Sequence, residues 1–300
     1  MDLDFTCIEC EITADVTVKL VAVLYDALRG FETQFRASCC STGQQSCAFC
    51  AEAAECQYQT VFAQHVSSDP EIVRLHQKPS LPYSLHVNWP GANTVSVGIA
   101  IIGRAVNFVN LFHSALFRVV EAGVCAVLSP DAYVLNSYCI DYQGVRHLLN
   151  SSAIVPKSVI MLSGQHVLQN SVHSDRVRVS LLSPLRLLSN GSIAHRFDFG
   201  MFFRSQMRRC SSLYAYYGTG ELNLDFVSLS RAAQNIDVLD DEIHYTQPLW
   251  SKRQNRSGLT GTAECAGLVE PMFSLLRLGS YFNAGKGAAI GLGYHKIEAA

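Results

Sequence analysis

The sequence near the carboxyl end of the chain, residues 271–298, reads PMFSLLRLGSYFNAGKGAAIGLGYHKIE. Apolar residues in its first part have helical spacing, which predicts a helix over residues 272–279. Four glycines then surround a single cation, Lys286, and the short run at residues 294–297 predicts a strand. The stretch is therefore expected to fold as a helix, a glycine-rich loop and a strand.

The glycines of this loop suit it to binding an anion, because glycine tolerates positive φ and has no Cβ. The four glycines are Gly285, Gly287, Gly291 and Gly293. Backbone N–H groups of such a loop can approach a phosphate chain together with the Lys286 ammonium. This pattern predicts a polyanionic ligand. The alternative is a tight connection that only closes the last strand of a sheet.

Two familiar nucleotide-binding motifs do not match this loop. A P-loop has four residues between its first glycine and the Gly-Lys pair, and Ser or Thr follows the lysine. Here five residues separate Gly279 from Gly285, and Gly287 follows Lys286. A dinucleotide fingerprint needs a strand before the loop and a helix after it, which is the reverse of the predicted order. Nucleotide hydrolysis and dinucleotide binding are therefore disfavoured.

Composition and charge point to a folded protein with a basic second half. With 300 residues and 49% hydrophobic content, the chain can bury one large core or two of ordinary domain size. Residues 1–150 contain 8 Lys and Arg against 14 Asp and Glu, whereas residues 151–300 contain 15 against 11. Arginine, whose planar guanidinium suits phosphate contacts, supplies most of the cations. The alternative is that the excess of Lys and Arg over Asp and Glu in the second half only forms a solvent-exposed surface.

The sequence predicts a soluble, cytoplasmic protein. Its first residues are acidic, at Asp2 and Asp4, and lack the basic and apolar regions of a secretory signal. The longest apolar tract, residues 95–117, is interrupted by polar residues, which argues against a membrane span.

The order of the predicted elements indicates an α+β fold of two tandem ferredoxin-like domains. In the first half, strands are predicted at residues 3–12, 84–87 and 95–102, and helices at 16–30, ended by Gly30, and 106–123. In the second half, strands are predicted at 177–181 and 260–266 and a helix at 197–217, before the terminal helix, loop and strand. Strand, helix, two strands, helix and strand form a ferredoxin-like unit. The irregular stretch 124–158 holds the boundary, which gives domains 1–150 and 151–300.

A cysteine-rich segment near residues 39–62 is a candidate zinc site inserted in the first domain. The proposed ligands are Cys40, Cys47, Cys50 and Cys56, with Cys39 as an alternative first ligand. Four thiolates can surround one zinc ion tetrahedrally, and such a closed site is structural because no position remains open for substrate. The alternative is a compact loop of reduced cysteines. Eleven cysteines without framework spacing indicate thiols or metal ligands instead of disulfides.

Cations lie beside aromatic residues in the second half. The predicted helix 197–217 carries Arg204, Arg208 and Arg209 beside aromatic residues, a combination that can bind RNA backbone and stack bases. The aromatic residues are Phe202, Phe203, Tyr214, Tyr216 and Tyr217. In the alternative reading, the aromatics face the core and the arginines face water. The densest cationic segment contains Lys252, Arg253 and Arg256.

Several short motifs give the chain a resemblance to a known family. They are Leu28-Arg29-Gly30, the cysteine run, SPLRL at residues 183–187, SKRQ at residues 251–254, and the terminal LLRLG, GK and GLG. In this order they resemble the CRISPR-associated repeat-processing endoribonucleases of the RAMP superfamily, which are built from RRM-like, ferredoxin-like domains. The resemblance covers most of the chain.

The resemblance implies that the protein binds CRISPR repeat RNA and cleaves precursor crRNA without a metal cofactor. In that reaction a ribose 2′-hydroxyl attacks the adjacent phosphate and leaves a 2′,3′-cyclic phosphate. It requires a base, an acid and cations around the phosphorus. Many relatives carry a histidine in or just after the first helix, but residues 26–40 contain none here. The candidates are therefore Arg29 and Arg36, which could position the phosphate, and His65, the nearest histidine downstream.

The residues expected to bind RNA are Gly285, Lys286, Gly287, Lys252, Arg253, Arg256, Arg208 and Arg209. The expected partners are CRISPR repeat RNA and other subunits of a CRISPR effector complex. A non-catalytic subunit that holds the repeat stem of the crRNA is the main alternative to an enzyme. A zinc-stabilised interaction protein that does not bind nucleic acid is the third reading.

Overall fold

The computed structural model describes residues 2–43, 47, 50–149, 154–189, 191–247 and 256–300. The chain divides into two compact units. The N-terminal unit comprises Asp4–Tyr83 and Trp89–Leu162, and the C-terminal unit comprises Ser163–Ala300 with Asp2, Leu3 and Ser84–Asn88. The boundary predicted between residues 150 and 151 lies before the division at Leu162.

The N-terminal unit contains most of a six-stranded sheet in the order β2-β3-β1-β4-β5, with β6 paired to β1, although Ser84–Asn88 of β2 and Ser163 of β6 are grouped with the C-terminal unit. Its strands are β1 (Asp4–Thr13), β2 (Tyr83–Gly91), β3 (Thr94–Ile102), β4 (Val134–Ile140), β5 (Arg146–Leu148) and β6 (Leu162–Ser163). Its helices are α1 (Val18–Ala27), α2 (Phe31–Cys39), α3 (Gln57–Phe62), α4 (Pro70–Leu75) and α5 (Val109–Cys125). The central strand β1 is antiparallel to both neighbours, so that Ile8 lies opposite Ile99 on β3 and Cys139 on β4.

An aromatic cluster holds the helices of this unit together. Phe31 and Phe35 of α2 are buried, and their ring centroids lie 6.1 and 4.9 Å from that of Phe112 on α5. The helix predicted to end at Gly30 instead continues through a 3₁₀ turn, Leu28–Gly30, into α2. Glycine costs a helix about 1 kcal/mol, which burial of the two phenylalanines outweighs.

The C-terminal unit contains a five-stranded sheet in the order β10-β12-β7-β13, with β11 paired to β12, and a separate two-stranded hairpin. Its strands are β7 (Arg176–Leu185), the hairpin pair β8 (Leu188–Ser189) and β9 (Ser192–Ile193), β10 (Asp237–Asp241), β11 (His244–Thr246), β12 (Gly258–Ala266) and β13 (His295–Ala299). Its helices are α6 (Gly164–Asn170), α7 (Phe199–Tyr217), α8 (Phe226–Ala232) and α9 (Met272–Ser280). On the central strand, Val179 lies between Ala263 of β12 and Ile297 of β13.

Both units have the ferredoxin-like topology, which confirms the predicted α+β fold. Along the chain, the main elements run strand, helix, two strands, helix and strand in each unit. In space, the four main strands stand in the order second, third, first, fourth in both sheets. This strand order results when two right-handed strand-helix-strand connections are built into one sheet.

One helical stretch, Gly103–Cys125, is long and apolar enough to cross a membrane by length and composition alone. Half of its most apolar window is buried inside the protein. Within α5, Val109, Phe112 and Leu116 are fully buried. The stretch is therefore a core helix of the N-terminal unit.

Candidate nucleic-acid interface

A cleft of about 440 Å³ opens on the C-terminal unit where three parts of the chain meet. We call it the basic cleft, and it is lined by Arg186, Leu187, Leu188, Ser189, Met201, Arg204, Ser205, Arg208, Gly285 and Lys286. These residues come from the end of β7 and the hairpin strand that follows it, from α7, and from the glycine-rich loop. Four of them are cations and none of the described lining residues is acidic, so the cleft suits a polyanion.

Helix α7 contributes two arginines from one face. Arg204 and Arg208 are four residues apart, a spacing that places side chains one turn above each other. The other face of the helix is anchored by the buried Phe202, Phe203 and Met207. Among the described residues, Nη1 of Arg204 is buried and has no hydrogen-bond partner. A phosphate oxygen would satisfy this donor.

The glycine-rich loop reaches the cleft through two backbone hydrogen bonds. The Lys286 N–H donates to the Arg186 carbonyl at 2.9 Å, and the Gly285 N–H donates to Oγ of Ser205 at 3.1 Å. A Cβ on Gly285 would lie 2.6 Å from the Arg186 carbonyl oxygen, so this approach requires glycine. The side chain of Lys286 is exposed beside the arginines.

Most of the loop's backbone donors are occupied within the protein, contrary to the expectation that they bind phosphate. Besides Gly285 and Lys286, the N–H of Leu292 donates to the Gly287 carbonyl and that of Gly293 to the Pro184 carbonyl. Buried N–H groups need such partners, because leaving them unpaired is costly. The capacity to bind an anion therefore lies in the side chains of the cleft.

A buried histidine supports the loop from inside the C-terminal unit. His295 Nδ1 donates to the Gly293 carbonyl at 2.9 Å, and its Nε2 accepts from the side-chain amide of Gln206. Burial disfavours the charged imidazolium and lowers the pKa of His295 to about 4. At neutral pH this histidine is therefore an uncharged positioning residue, and it is too enclosed to exchange protons with a substrate.

The lowered pKa of His295 predicts a loss of stability in mild acid. The unfolded chain binds this proton near pH 6.5 and the folded chain only near pH 4, so the stabilisation is complete above about pH 6.5 and declines toward about pH 4. The slope is at most about 1.4 kcal/mol per pH unit. Urea unfolding at several pH values should show a flatter decline for His295→Gln than for the wild type. An equal decline in both proteins would contradict this assignment.

The structure places the residues predicted to bind RNA in different locations. Gly285, Lys286 and Arg208 line the basic cleft. Gly287 lies in the same loop with φ of +92°, and a Cβ there would meet the Leu292 side chain. Arg209 points elsewhere and donates from Nε to the Phe282 carbonyl at 2.5 Å.

The remaining predicted cations do not add to the cleft. Arg256 is buried, with 7% of its surface exposed, and therefore offers little area to a ligand. Lys252 and Arg253 lie outside the described residues. The residues expected to bind RNA did not include Arg186, which lies in the SPLRL motif, or Arg204, which was noted on the helix four residues before Arg208. Of the aromatics named with α7, Phe202, Phe203 and Tyr214 are buried in the core, as the alternative reading expected.

The predicted catalytic residues all lie in the N-terminal unit. Arg29 is exposed in the 3₁₀ turn after α1, and His65 is exposed in the connection after α3. Arg36 lies on α2, with its guanidinium carbon 5.6 Å from the centroid of the Tyr58 ring. It lines a small cavity together with cysteines of the predicted zinc site.

The four predicted zinc ligands, Cys40, Cys47, Cys50 and Cys56, line this same cavity. All cysteines of the chain are free thiols. In the part of the chain that the structure describes, no three His, Cys, Asp or Glu side chains form a group placed to hold a metal ion. The four thiols thus line one cavity, but the described side chains are not arranged as a metal site.

Comparison with known proteins shows which family part of the chain matches and which structures share its fold. Residues 179–295 match the model of the CRISPR-associated endoribonuclease Cas6, and residues 3–137 match a model described as an N-terminal domain. Thermus thermophilus Cas6 has 12% sequence identity, a TM-score of 0.54 and coverage of 99% of both chains. A Cas6 product complex gives 11% identity, a TM-score of 0.53 and coverage of 98% of this chain and 99% of that chain. No curated protein sequence matches the chain.

A third similar structure is a partial Cas6-RT-Cas1–Cas2 complex, with 9% identity and a TM-score of 0.54. The structural match covers 99% of this chain and 46% of the matched chain in that complex. The tandem ferredoxin-like fold of this chain is also the fold of these Cas6 structures. The match to the family model confirms the resemblance to the CRISPR-associated repeat-processing endoribonucleases over residues 179–295, and the similar structures share the fold of the whole chain.

Proposed function

We propose that this protein is an endoribonuclease that binds CRISPR repeat RNA in the basic cleft and cleaves precursor crRNA in the cytoplasm. The observation that carries the proposal is the set of four cations, Arg186, Arg204, Arg208 and Lys286, gathered in one cleft. All four lie within the residues that match the Cas6 family model. Other CRISPR proteins are the expected partners, since one similar structure is a Cas6-RT-Cas1–Cas2 complex.

The proposed reaction needs no metal ion. The 2′-hydroxyl oxygen attacks the adjacent phosphorus and loses its proton to a base, while the bond from phosphorus to the 5′-oxygen breaks and that oxygen gains a proton from an acid. The products are a 2′,3′-cyclic phosphate and a 5′-hydroxyl. Negative charge grows on the phosphate oxygens in the transition state, where fixed guanidinium groups stabilise it.

The catalytic residues of this proposal are the three predicted from the sequence. His65 is exposed, and an imidazole can act as base or acid in proton transfer. Arginine is too basic to accept the proton, but Arg29 and Arg36 can hold the scissile phosphate. His65→Ala should then slow cleavage at saturating protein without weakening RNA binding.

A non-catalytic RNA-binding subunit is the second candidate function. Two observations favour it: residues 26–40 contain no histidine, and Arg36 lies against the Tyr58 ring beside the cysteines. Such a subunit would use the same basic cleft to hold the repeat stem within an effector complex.

One experiment separates the two functions. The full-length protein is incubated with its repeat RNA in EDTA, and the RNA ends are analysed while circular dichroism verifies that the protein stays folded. We expect a single cut with a 2′,3′-cyclic phosphate end. Salt-dependent binding without a cut would favour the subunit. A cut that appears only when a divalent ion is restored to folded protein would contradict the proposed mechanism, and no salt-dependent binding would contradict both functions.

A further inference from the structure

We propose that the N-terminal unit binds one structural zinc ion through Cys40, Cys47, Cys50 and Cys56. The sequence spacing suggested these ligands, and the structure adds that all four line one small cavity. The cavity has room for about one water molecule, with a volume of about 20 Å³, which matches a site for a single ion. This inference is independent of RNA binding and cleavage.

The cysteines stand at the ends of two helices that zinc would join. Cys40 is the C-cap of α2, and Cys56 is the N-cap of α3. Cys47 and Cys50 lie in the connection between them, where the Cys50 N–H donates to the Cys47 carbonyl at 3.3 Å. A single ion would fix this connection, because none of its described residues, 41–43, 47 and 50–55, is buried.

The structure also selects Cys40 over its neighbour Cys39 as the first ligand. The Cys39 thiol donates to the Phe35 carbonyl at 3.3 Å, within the last turn of α2, and Cys39 does not line the cavity. The sulfur of Cys40 lies 3.8 Å from the Thr42 hydroxyl, which lies 3.8 Å from the sulfur of Cys50. Two of the thiols therefore face each other across one hydroxyl group.

Zinc binding would require the thiols to rearrange, because the described side chains form no group placed to hold a metal ion. With zinc–sulfur bonds of about 2.3 Å, tetrahedral geometry places the sulfurs about 3.8 Å apart. The Thr42 hydroxyl would be displaced from between Cys40 and Cys50. Each thiol would release its proton to the solvent as its sulfur binds the ion.

The charge of the site is balanced by a nearby cation. A zinc ion with four thiolates carries a net charge of −2, which is unfavourable in a partly enclosed site unless a cation lies close by. Arg36 lines the same cavity and is held there by the Tyr58 ring. Its guanidinium can donate hydrogen bonds to thiolate sulfur, so it serves the metal site as a charge partner.

The test compares two neighbouring cysteines. Full-length wild type, Cys39→Ser and Cys40→Ser are reconstituted with zinc under reducing conditions, and the metal content is measured after removal of free zinc. We expect one zinc per chain in the wild type and in Cys39→Ser, and much less in Cys40→Ser. Well under one zinc in the wild type, or equal loss in both variants, overturns the proposal.

Cobalt substitution keeps the test decisive if Cys40→Ser fails to fold. Wild-type protein loaded with cobalt alone should show the intense visible bands of tetrahedral coordination and the ultraviolet absorption of cobalt–thiolate bonds. Cys125→Ser removes an exposed thiol outside the cluster and should leave the spectrum unchanged. A wild-type spectrum that lacks thiolate absorption overturns the assignment.

Discussion

The triple variant Arg204→Ala, Arg208→Ala and Lys286→Ala should bind CRISPR repeat RNA about 100-fold more weakly than the wild type, or weaker still. These three side chains line the basic cleft and come from α7 and the glycine-rich loop. A hydrogen bond to a charged group contributes about 1.5–3 kcal/mol, and about 1.4 kcal/mol corresponds to a tenfold change in affinity. Even after a discount for solvent exposure, three lost contacts exceed a hundredfold.

The salt dependence of binding gives a second measure of the same contacts. Each lost phosphate contact should reduce the slope of log K against log salt concentration by about 0.7 for single-stranded and about 0.9 for duplex nucleic acid. The triple variant should therefore lose about two to three units of slope, and Lys286→Ala alone about one. Fluorescence anisotropy at several salt concentrations measures both quantities.

A matched control removes the same charge elsewhere. Arg176, Arg231 and Lys296 are exposed cations of the C-terminal unit that do not line the cleft. Their triple alanine variant has the same net charge as the cleft variant and should retain most of its affinity. If both variants lose affinity equally, RNA binding depends only on the net charge of the protein. If the cleft variant binds normally, the cleft is not the RNA surface.

The fold was predictable because its decisive elements carry strong local signals. In β1, residues Phe5, Ile8, Cys10 and Ile12 are buried and recur along the strand, so the sequence shows the core face. The terminal helix, loop and strand were predicted within one or two residues of α9 and β13. Such segments contain their own periodicity and need no knowledge of their neighbours.

Other strands were missed because pairing, not apolar pattern, defines them. All residues of β10, sequence DVLDD, are exposed, and the strand exists through its pairing with β12. Likewise β4 lies in a stretch interpreted as irregular, and its buried positions include Ser137. Neither strand has the alternation of apolar residues that sequence reading detects.

The candidate site was predictable only in part, since it is assembled from distant segments. Lys286 was evident because it is isolated among glycines. Its neighbour Arg186 was not evident from the sequence. The hydrogen bond from the Lys286 N–H to the Arg186 carbonyl joins the glycine-rich loop to the end of β7, which lies about a hundred residues earlier in the chain. No local pattern reports such a contact. The glycines predicted that backbone N–H groups of the loop would bind phosphate. In the structure, several of these N–H groups instead donate hydrogen bonds to other parts of the protein.

Gly293→Ala should destabilise the C-terminal unit by about 4 kcal/mol or prevent its folding, through backbone strain and a steric clash. Gly293 has φ of +68°, a conformation that costs other residues about 1–2 kcal/mol. A Cβ at this position would also lie 1.9 Å from the Ala284 carbonyl oxygen. That oxygen belongs to backbone and cannot rotate away, and Ala284 is itself bonded to Gly293 through its N–H at 3.0 Å. Urea unfolding followed by circular dichroism measures the loss.

Gly191→Ala separates strain from the clash. Gly191 has φ of +81° in the same unit, but a Cβ there would meet nothing within 4 Å. This control should cost about 1 kcal/mol, because the strain is partly offset by the lower entropy of the unfolded chain. If the two variants lose similar stability, the close approach of residues 284 and 293 does not hold the loop. A much larger loss for Gly293→Ala means that the close approach of residues 284 and 293 holds together the loop that carries Lys286.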